Sequence, residues 1–132
     1  MNDHIGLSSN VRTGLSVPPQ SVNGTVNGTG INFDQGGAEV MAEFAIGTVG
    51  SGATGTLKLQ SSLNDNTGTT REAADAYTDI SGASTTISGS DANTLIKLTT
   101  NARAESFVRA VVITTGATLV SAVLHSPTRK VA

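Results

Sequence analysis

The residues able to do chemistry are few and scattered. His4 and His125 are the two histidines, and His125 has no acidic or thiol partner near it in sequence. A hydrolytic triad is assembled in space rather than in sequence, but no G-x-S-x-G elbow is present to expose a nucleophilic serine. Zinc needs a third nitrogen or sulfur ligand, or an added carboxylate, and the chain contains no cysteine. Glu39 and Glu43 form the one suggestive carboxylate pair. On a strand they stand about 13 Å apart at ~3.3 Å per residue, beyond the spacing of either glycosidase class, so a solvated face is the better reading. Asn64-Asp65-Asn66-Thr67-Gly68 imitates a calcium loop, but its glycine comes one place early and the closing glutamate is missing. The glycine-rich Gly47–Gly55 stretch lacks the Lys-Ser/Thr ending of a phosphate cradle and opens no helix. These patterns point to a protein that is not an enzyme. They assign no catalytic residue, no cofactor-binding residue and no metal ligand.

Composition points the same way. Charged residues make up 14% and aromatic residues 3% of the chain, less than an enzyme of this length spends on a pocket. The surface is built of Thr, Ser, Asn and Gly, which can pack against neighbours without burying charge. A net charge of -2 and a pI near 5.5 argue against nucleic acid held through a basic field. No apolar run approaches the ~20 residues of a membrane-spanning helix. The N-terminus shows neither the basic nor the apolar region of a signal peptide. The Asn-Gly-Thr repeat at Asn23 and Asn27 matches the glycosylation sequon, but without a leader it reads as turn chemistry.

The elements that must position these residues are strands. Ser106–Thr114 is the longest β-prone run. It is apolar on both faces, as a central strand covered on both sides should be. Gly116 is expected to turn the chain so that Leu119–Leu124 returns beside it as a hairpin. Ala38–Gly47 alternates cleanly, with Val40, Ala42, Phe44 and Ile46 on one face and Glu39, Met41 and Glu43 on the other. It is expected to form a long-tipped hairpin with Thr56–Ser62. Further strands are expected at Tyr77–Ile80, Thr85–Ser88 and Thr94–Thr99, with one helical turn at Thr70–Ala76. The fold class is all-β: a jelly-roll-like antiparallel β-sandwich of about eight strands, spanning 21–132. Phe44, Ile46, Leu57, Leu59, Ile96 or Leu98, Val111 and Ile113 are its expected core. Residues 1–20 form an extended N-terminal arm ending at Pro18-Pro19. Its spaced apolar residues Ile5, Leu7, Val11, Leu15 and Val17 are the candidate partner-binding residues.

Four stretches carry a family resemblance. They are Gly30-Ile31-Asn32-Phe33, Ala38–Val49 ending in Gly47-Thr48-Val49-Gly50, Leu57-Lys58-Leu59-Gln60-Ser61-Ser62 followed by Asn64-Asp65-Asn66, and Ser106–Ile113 leading to Ser121–Leu124. Tyr77-Thr78-Asp79-Ile80 fits the order between them. Over residues 30–126 the pattern resembles the small jelly-roll cement or decoration proteins of tailed bacteriophage capsids. Phe107 stands where the family often has Tyr, and Thr-Gly-rich sequence replaces an acidic insertion of some relatives. The resemblance implies a structural virion protein that binds and stabilises the outer capsid surface. It implies a homotrimer partnered by the major capsid protein, located on the virion and made in the host cytoplasm. No cofactor, nucleic acid, membrane or small-molecule substrate is implied. The alternative is a tail, fibre or head–tail connector module that binds a host surface or a ring partner.

Overall fold

The computed structural model describes residues 11–33, 39–63, 77–101 and 106–127. Seven strands follow in order: β1 (Val11–Asn27), β2 (Ile31–Phe33), β3 (Glu39–Val49), β4 (Gly55–Leu63), β5 (Thr78–Ile87), β6 (Thr94–Asn101) and β7 (Ser106–Pro127). All pairings are antiparallel. The expected helical turn at Thr70–Ala76 lies outside the described residues.

The organising element is β7, a single strand of 22 residues. The expected hairpin at Gly116 is not formed. A tight hairpin turn needs positive φ, and among the described residues the positive-φ glycines are Gly24, Gly52 and Gly82. Gly116 instead permits a close approach, since a Cβ there would meet Ala53 Cβ at 2.9 Å. All seven strands are linked by pairing into one sheet that doubles over, and the two halves of β7 lie in different layers of the sandwich, its first and second sheets. Its first half lies between β4 on one side and the end of β1 with β2 on the other. Its second half lies between β3 and the start of β1. β5 extends the first sheet beyond β4, and β6 extends the second beyond β3. The chain is thus an all-β, jelly-roll-like antiparallel sandwich whose sheets share their two longest strands.

It follows that β3 and β4 are not a hairpin. Each pairs with β7 but neither with the other, and the Gly50–Thr54 link steps between sheets alongside the middle of β7. Gly50 N–H donates to Ala117 O at 2.8 Å and Thr115 N–H to Thr54 O at 2.9 Å. Tyr77–Ile80 and Thr85–Ser88, expected as two strands, are joined in β5. Gly82 (φ 84) sits at the irregularity where the pairing passes from Lys58↔Ser84 to Gln60↔Asp79. The Asn23-Gly24 signal likewise marks a register shift between Val22↔Thr118 and Gly24↔Thr114, where one residue of β1 stands against three of β7. Thr114 repairs the interrupted ladder there: its hydroxyl donates to Val22 O at 2.7 Å and accepts from Gly24 N–H at 3.4 Å.

Strand pairing begins at Val11, so residues 11–20 belong to the sheet and not to an arm. Pro18 and Pro19 fall where the β1–β7 register shifts between Val17↔Ala122 and Gln20↔Val120. A residue without N–H is tolerated at such an irregularity on an edge strand.

The inner faces of β3, β4 and β7 meet in one core. Val40, Ala42, Phe44 and Ile46 are buried as the alternation requires, with Leu57, Leu59, Val120, Ala122 and Leu124. Ile96 and Leu98 both pack against it, partly buried. The central strand is buried on both faces over residues 107–112 apart from Arg109, as its two apolar faces require. Val108, Ala110 and Val112 face the core, so Val111 and Ile113 project from the opposite side. Val111 is nevertheless buried, and Ile113 is intermediate.

A buried serine fixes how the β1–β7 ribbon doubles over. Ser16 lies in the second-sheet part of β1, between Leu15↔Val123 and Val17↔Ala122. Its hydroxyl donates to Thr29 O at 2.8 Å and accepts Ala110 N–H at 3.0 Å. Its carbonyl accepts Thr29 N–H at 2.8 Å. Residues twelve or more positions away along a strand meet Ser16 only because the ribbon folds back on itself. Ser16→Ala leaves the Ala110 donor and the Thr29 acceptor without these partners, and should cost about 1–3 kcal/mol in urea unfolding.

Candidate functional site

Each sheet carries one chain of polar side chains across its outer face. On the first sheet, Arg109 of β7 donates through Nε and Nη2 to Gln60 Oε1 of β4, at 2.9 and 2.7 Å. Gln60 Nε2 donates to Asp79 Oδ1 of β5 at 2.8 Å. Lys58 Nζ lies 3.1 Å from the same carboxylate oxygen, and the Arg109 guanidinium stacks 4.0 Å from the Tyr77 ring centroid. The Gln60 hydrogen bond, then that from Lys58, hold the Asp79 carboxyl below its ordinary value.

On the second sheet, the chain runs through all four strands. The Thr13 hydroxyl (β1) is 3.2 Å from His125 Nδ1 (β7). His125 Nε2 is 3.0 Å from Glu43 Oε1 (β3), and Lys97 Nζ (β6) is 3.9 Å from Glu43 Oε2. Hydroxyl, imidazole and carboxylate in series are the components of an acyl-transfer relay. Here they lie on an open sheet face, and neither described cleft is lined by them. A relay also needs donors placed for an oxyanion. What the contacts do supply is cross-strand hydrogen bonding.

Around this second chain the face mixes polar and apolar residues. The large hydrophobic residues that stay exposed are Leu15 (49%), Leu95 (62%) and Leu119 (45%). Strand alternation puts all three on the outer side of the second sheet, with Val123, Ala45 and Gly47 between them. Gly47 leaves a dip under Leu119, because a Cβ there would touch Leu119 Cβ at 3.0 Å. A shallow depression of about 270 Å³ lies beside it, lined in part by Pro19, Ala45 and Ser121. A second open cleft, of about 520 Å³, lies at the end of the first sheet. Thr54, Thr56, Thr86, Ser88 and Asp91 surround it, with neither a cation nor an aromatic ring in its lining.

Of the sequence-selected partner residues, Leu15 is placed on the exposed face. Val17 is buried in the core. Val11 pairs through its backbone with Pro127. Ile5 and Leu7 lie outside the described residues. Leu95 and Leu119 escaped the sequence reading because each sits in a strand whose neighbours are also apolar. Among the described residues no three His, Asp or Glu side chains gather to hold a metal ion, and no helix is long and apolar enough to cross a membrane.

No family model matches the sequence, and no curated protein matches it either. Solved structures share the fold. The chain superposes on a protein of infectious bursal disease virus, Gx strain, with TM-score 0.53 and 12% identity, over 89% of this chain and 32% of that one. It therefore spans about a third of the viral chain's length. A xylan-binding domain from CBM 22 gives TM-score 0.48 and 16% identity, over 93% and 88% of the two chains. The C-terminal CBM6 of LamC from Zobellia galactanivorans gives 0.42 and 12%, over 90% and 94%. At 12% identity the likeness to the viral chain is one of fold alone.

The polar chain on the first sheet makes a testable statement about acid. A carboxyl held below its ordinary value stabilises the fold above that value, and the contribution is lost as pH falls through the depressed one. The Asp79 carboxyl should titrate below an unperturbed aspartate by NMR, and Gln60→Leu should move its midpoint upward.

Proposed function

We propose that this is a structural virion protein that binds the outside of a bacteriophage capsid and stabilises it. The observation that carries this reading is the outer face of the second sheet. Its exposed leucines are spread over three strands of one open face, with Leu119 beside a shallow depression, which suits contact with another protein surface. Small residues between them allow close approach, and Glu43 already contacts both Lys97 and His125. The resemblance of residues 30–126 to capsid decoration proteins supplies the partner, the major capsid protein. It also supplies the location on the virion after synthesis in the host cytoplasm, and assembly as a homotrimer. In this reading the protein has no catalytic role and takes no cofactor or small-molecule substrate. The alternative is a tail, fibre or head–tail connector module. Imaging of intact particles separates the two by where the density lies.

The truncation that tests an arm must stop at residue 10, since removal through residue 17 also takes away Ser16 and Val17. Loss of residues 1–10 should leave the sandwich folded while shell binding falls at least about tenfold, ~1.4 kcal/mol. For the face itself, Leu95→Asp combined with Leu119→Asp should change urea stability little, because exposed sites usually fall within about 0.5 kcal/mol each. The double variant should bind purified shells at least about tenfold more weakly in a sedimentation assay. Decoration at wild-type occupancy would remove the face from the attachment.

A further inference from the structure

An edge strand presents unpaired N–H and C=O groups, a template on which another chain can pair, and proteins commonly blunt such edges. Two of the sandwich margins are blunted. β1 has three register shifts and carries Pro18 and Pro19. β5 breaks register with β4 around Gly82. β6 has neither device. It pairs with β3 from Glu39↔Asn101 to Ile46↔Thr94 without a shift, and it contains no proline or glycine. Among the described residues no strand pairs with its other side.

Cover over the core is partial at this strand: Ile96 and Leu98 of β6 are only partly buried, as are Ile80 of β5, Val26 of β1 and Ile31 of β2. The opposite margin is closed by Ser16 against Thr29 and Ala110. On the outer side of β6, Leu95 is the most exposed large apolar residue.

We infer that β6 is an acceptor edge, and that the strand it takes is residues 1–10 of a second copy of this chain. β1 and β6 lie on opposite margins of the second sheet, so the donor segment joins the sheet at the far side from the acceptor. To reach its own β6 the segment must cross three strand spacings, ~14 Å. A copy standing alongside brings it there directly. Ten extended residues reach ~33 Å, against ~26 Å for the eight residues of β6. Ile5 and Leu7, two positions apart, fall on one face of a strand and can extend the cover over Ile96 and Leu98. No proline interrupts residues 1–10. The added main chain supplies the hydrogen bonds and the side chains set register. Donor and acceptor are different surfaces, so the contact is heterologous and closes into a ring or runs on as a filament. This holds whatever the assembled molecule attaches to.

The absence of native cysteine makes the test direct. Gly6→Cys and Thr99→Cys are placed in separate chains, mixed and mildly oxidised, with Ser8→Cys and Lys97→Cys as register alternatives; with Ile5 and Leu7 inward, positions 6 and 8 share the outer face of Lys97 and Thr99. Disulfide-linked dimers should form in at least one mixture and exceed those of either variant alone. Hydrogen exchange at residues 94–101 should slow by about tenfold as the protein assembles, and that slowing should vanish when residues 1–10 are removed. A disulfide within one chain carrying both cysteines, formed at monomeric concentration, would place the segment in cis and overturn the inference. Exchange at β6 that ignores the removal would overturn it too, because something other than residues 1–10 would then set the state of that edge.

Discussion

The fold depends on the doubling-over of one antiparallel ribbon, and a buried hydroxyl group holds the doubled ends together. β1 and β7 pair from Val11↔Pro127 to Asn27↔Val111, too long a ribbon to lie flat in one sheet of so small a domain. Folding it costs ladder hydrogen bonds at the bends, and an unpaired buried N–H or C=O is expensive. Ser16 and Thr114 stand where those bonds are missing and replace them with hydroxyl contacts. Gly28 makes the first of these possible, since a Cβ there would lie 2.7 Å from Ala110 O. Once the ribbon is folded, each half of β7 has one free side. β4 takes one and β3 the other, and β5 and β6 follow as outer strands.

This explains which parts of the fold were legible in the sequence. Alternation identified β3 and its buried face residue by residue, because one side of that strand is wet and the other is not. It failed on β7, where Phe107, Val108, Ala110, Val111 and Val112 are all buried and period two carries no information about direction. It failed again at Gly116, Gly24 and Gly82, because glycine marks a bulge or a close approach as readily as a turn. The β3–β4 hairpin was the reasonable reading of neighbouring strands. A shared strand sends consecutive strands to different sheets, and no local signal records that.

The candidate face was less legible than the fold. Thr13, His125, Glu43 and Lys97 come from four strands far apart in the chain, and only strand register brings them together. Leu15, Leu95 and Leu119 are ordinary strand leucines in sequence, and exposure distinguishes them after pairing. The arm boundary differs for the reverse reason: Pro18-Pro19 has the sequence signature of an element's end, yet it occupies a register shift inside β1. The apolar spacing of Leu15 and Val17 was real, but the bulge between them sends Leu15 outward and Val17 into the core.

The same face sets a limit on how it can be used. Fully burying a leucine is worth ~1.5–3 kcal/mol, and these three are already about half covered, so each adds ~1 kcal/mol on contact. The sum falls below the ~4–15 kcal/mol that association costs in lost translational and rotational freedom. One such face on one subunit therefore holds a partner weakly. Strength must come from repetition, with several copies fixed on one body so that each later contact is made at high effective concentration. A rigid sandwich suits that use: its strands are locked by a folded ribbon, so its faces keep the same relative placement in every copy, and small contacts can add without each being strong.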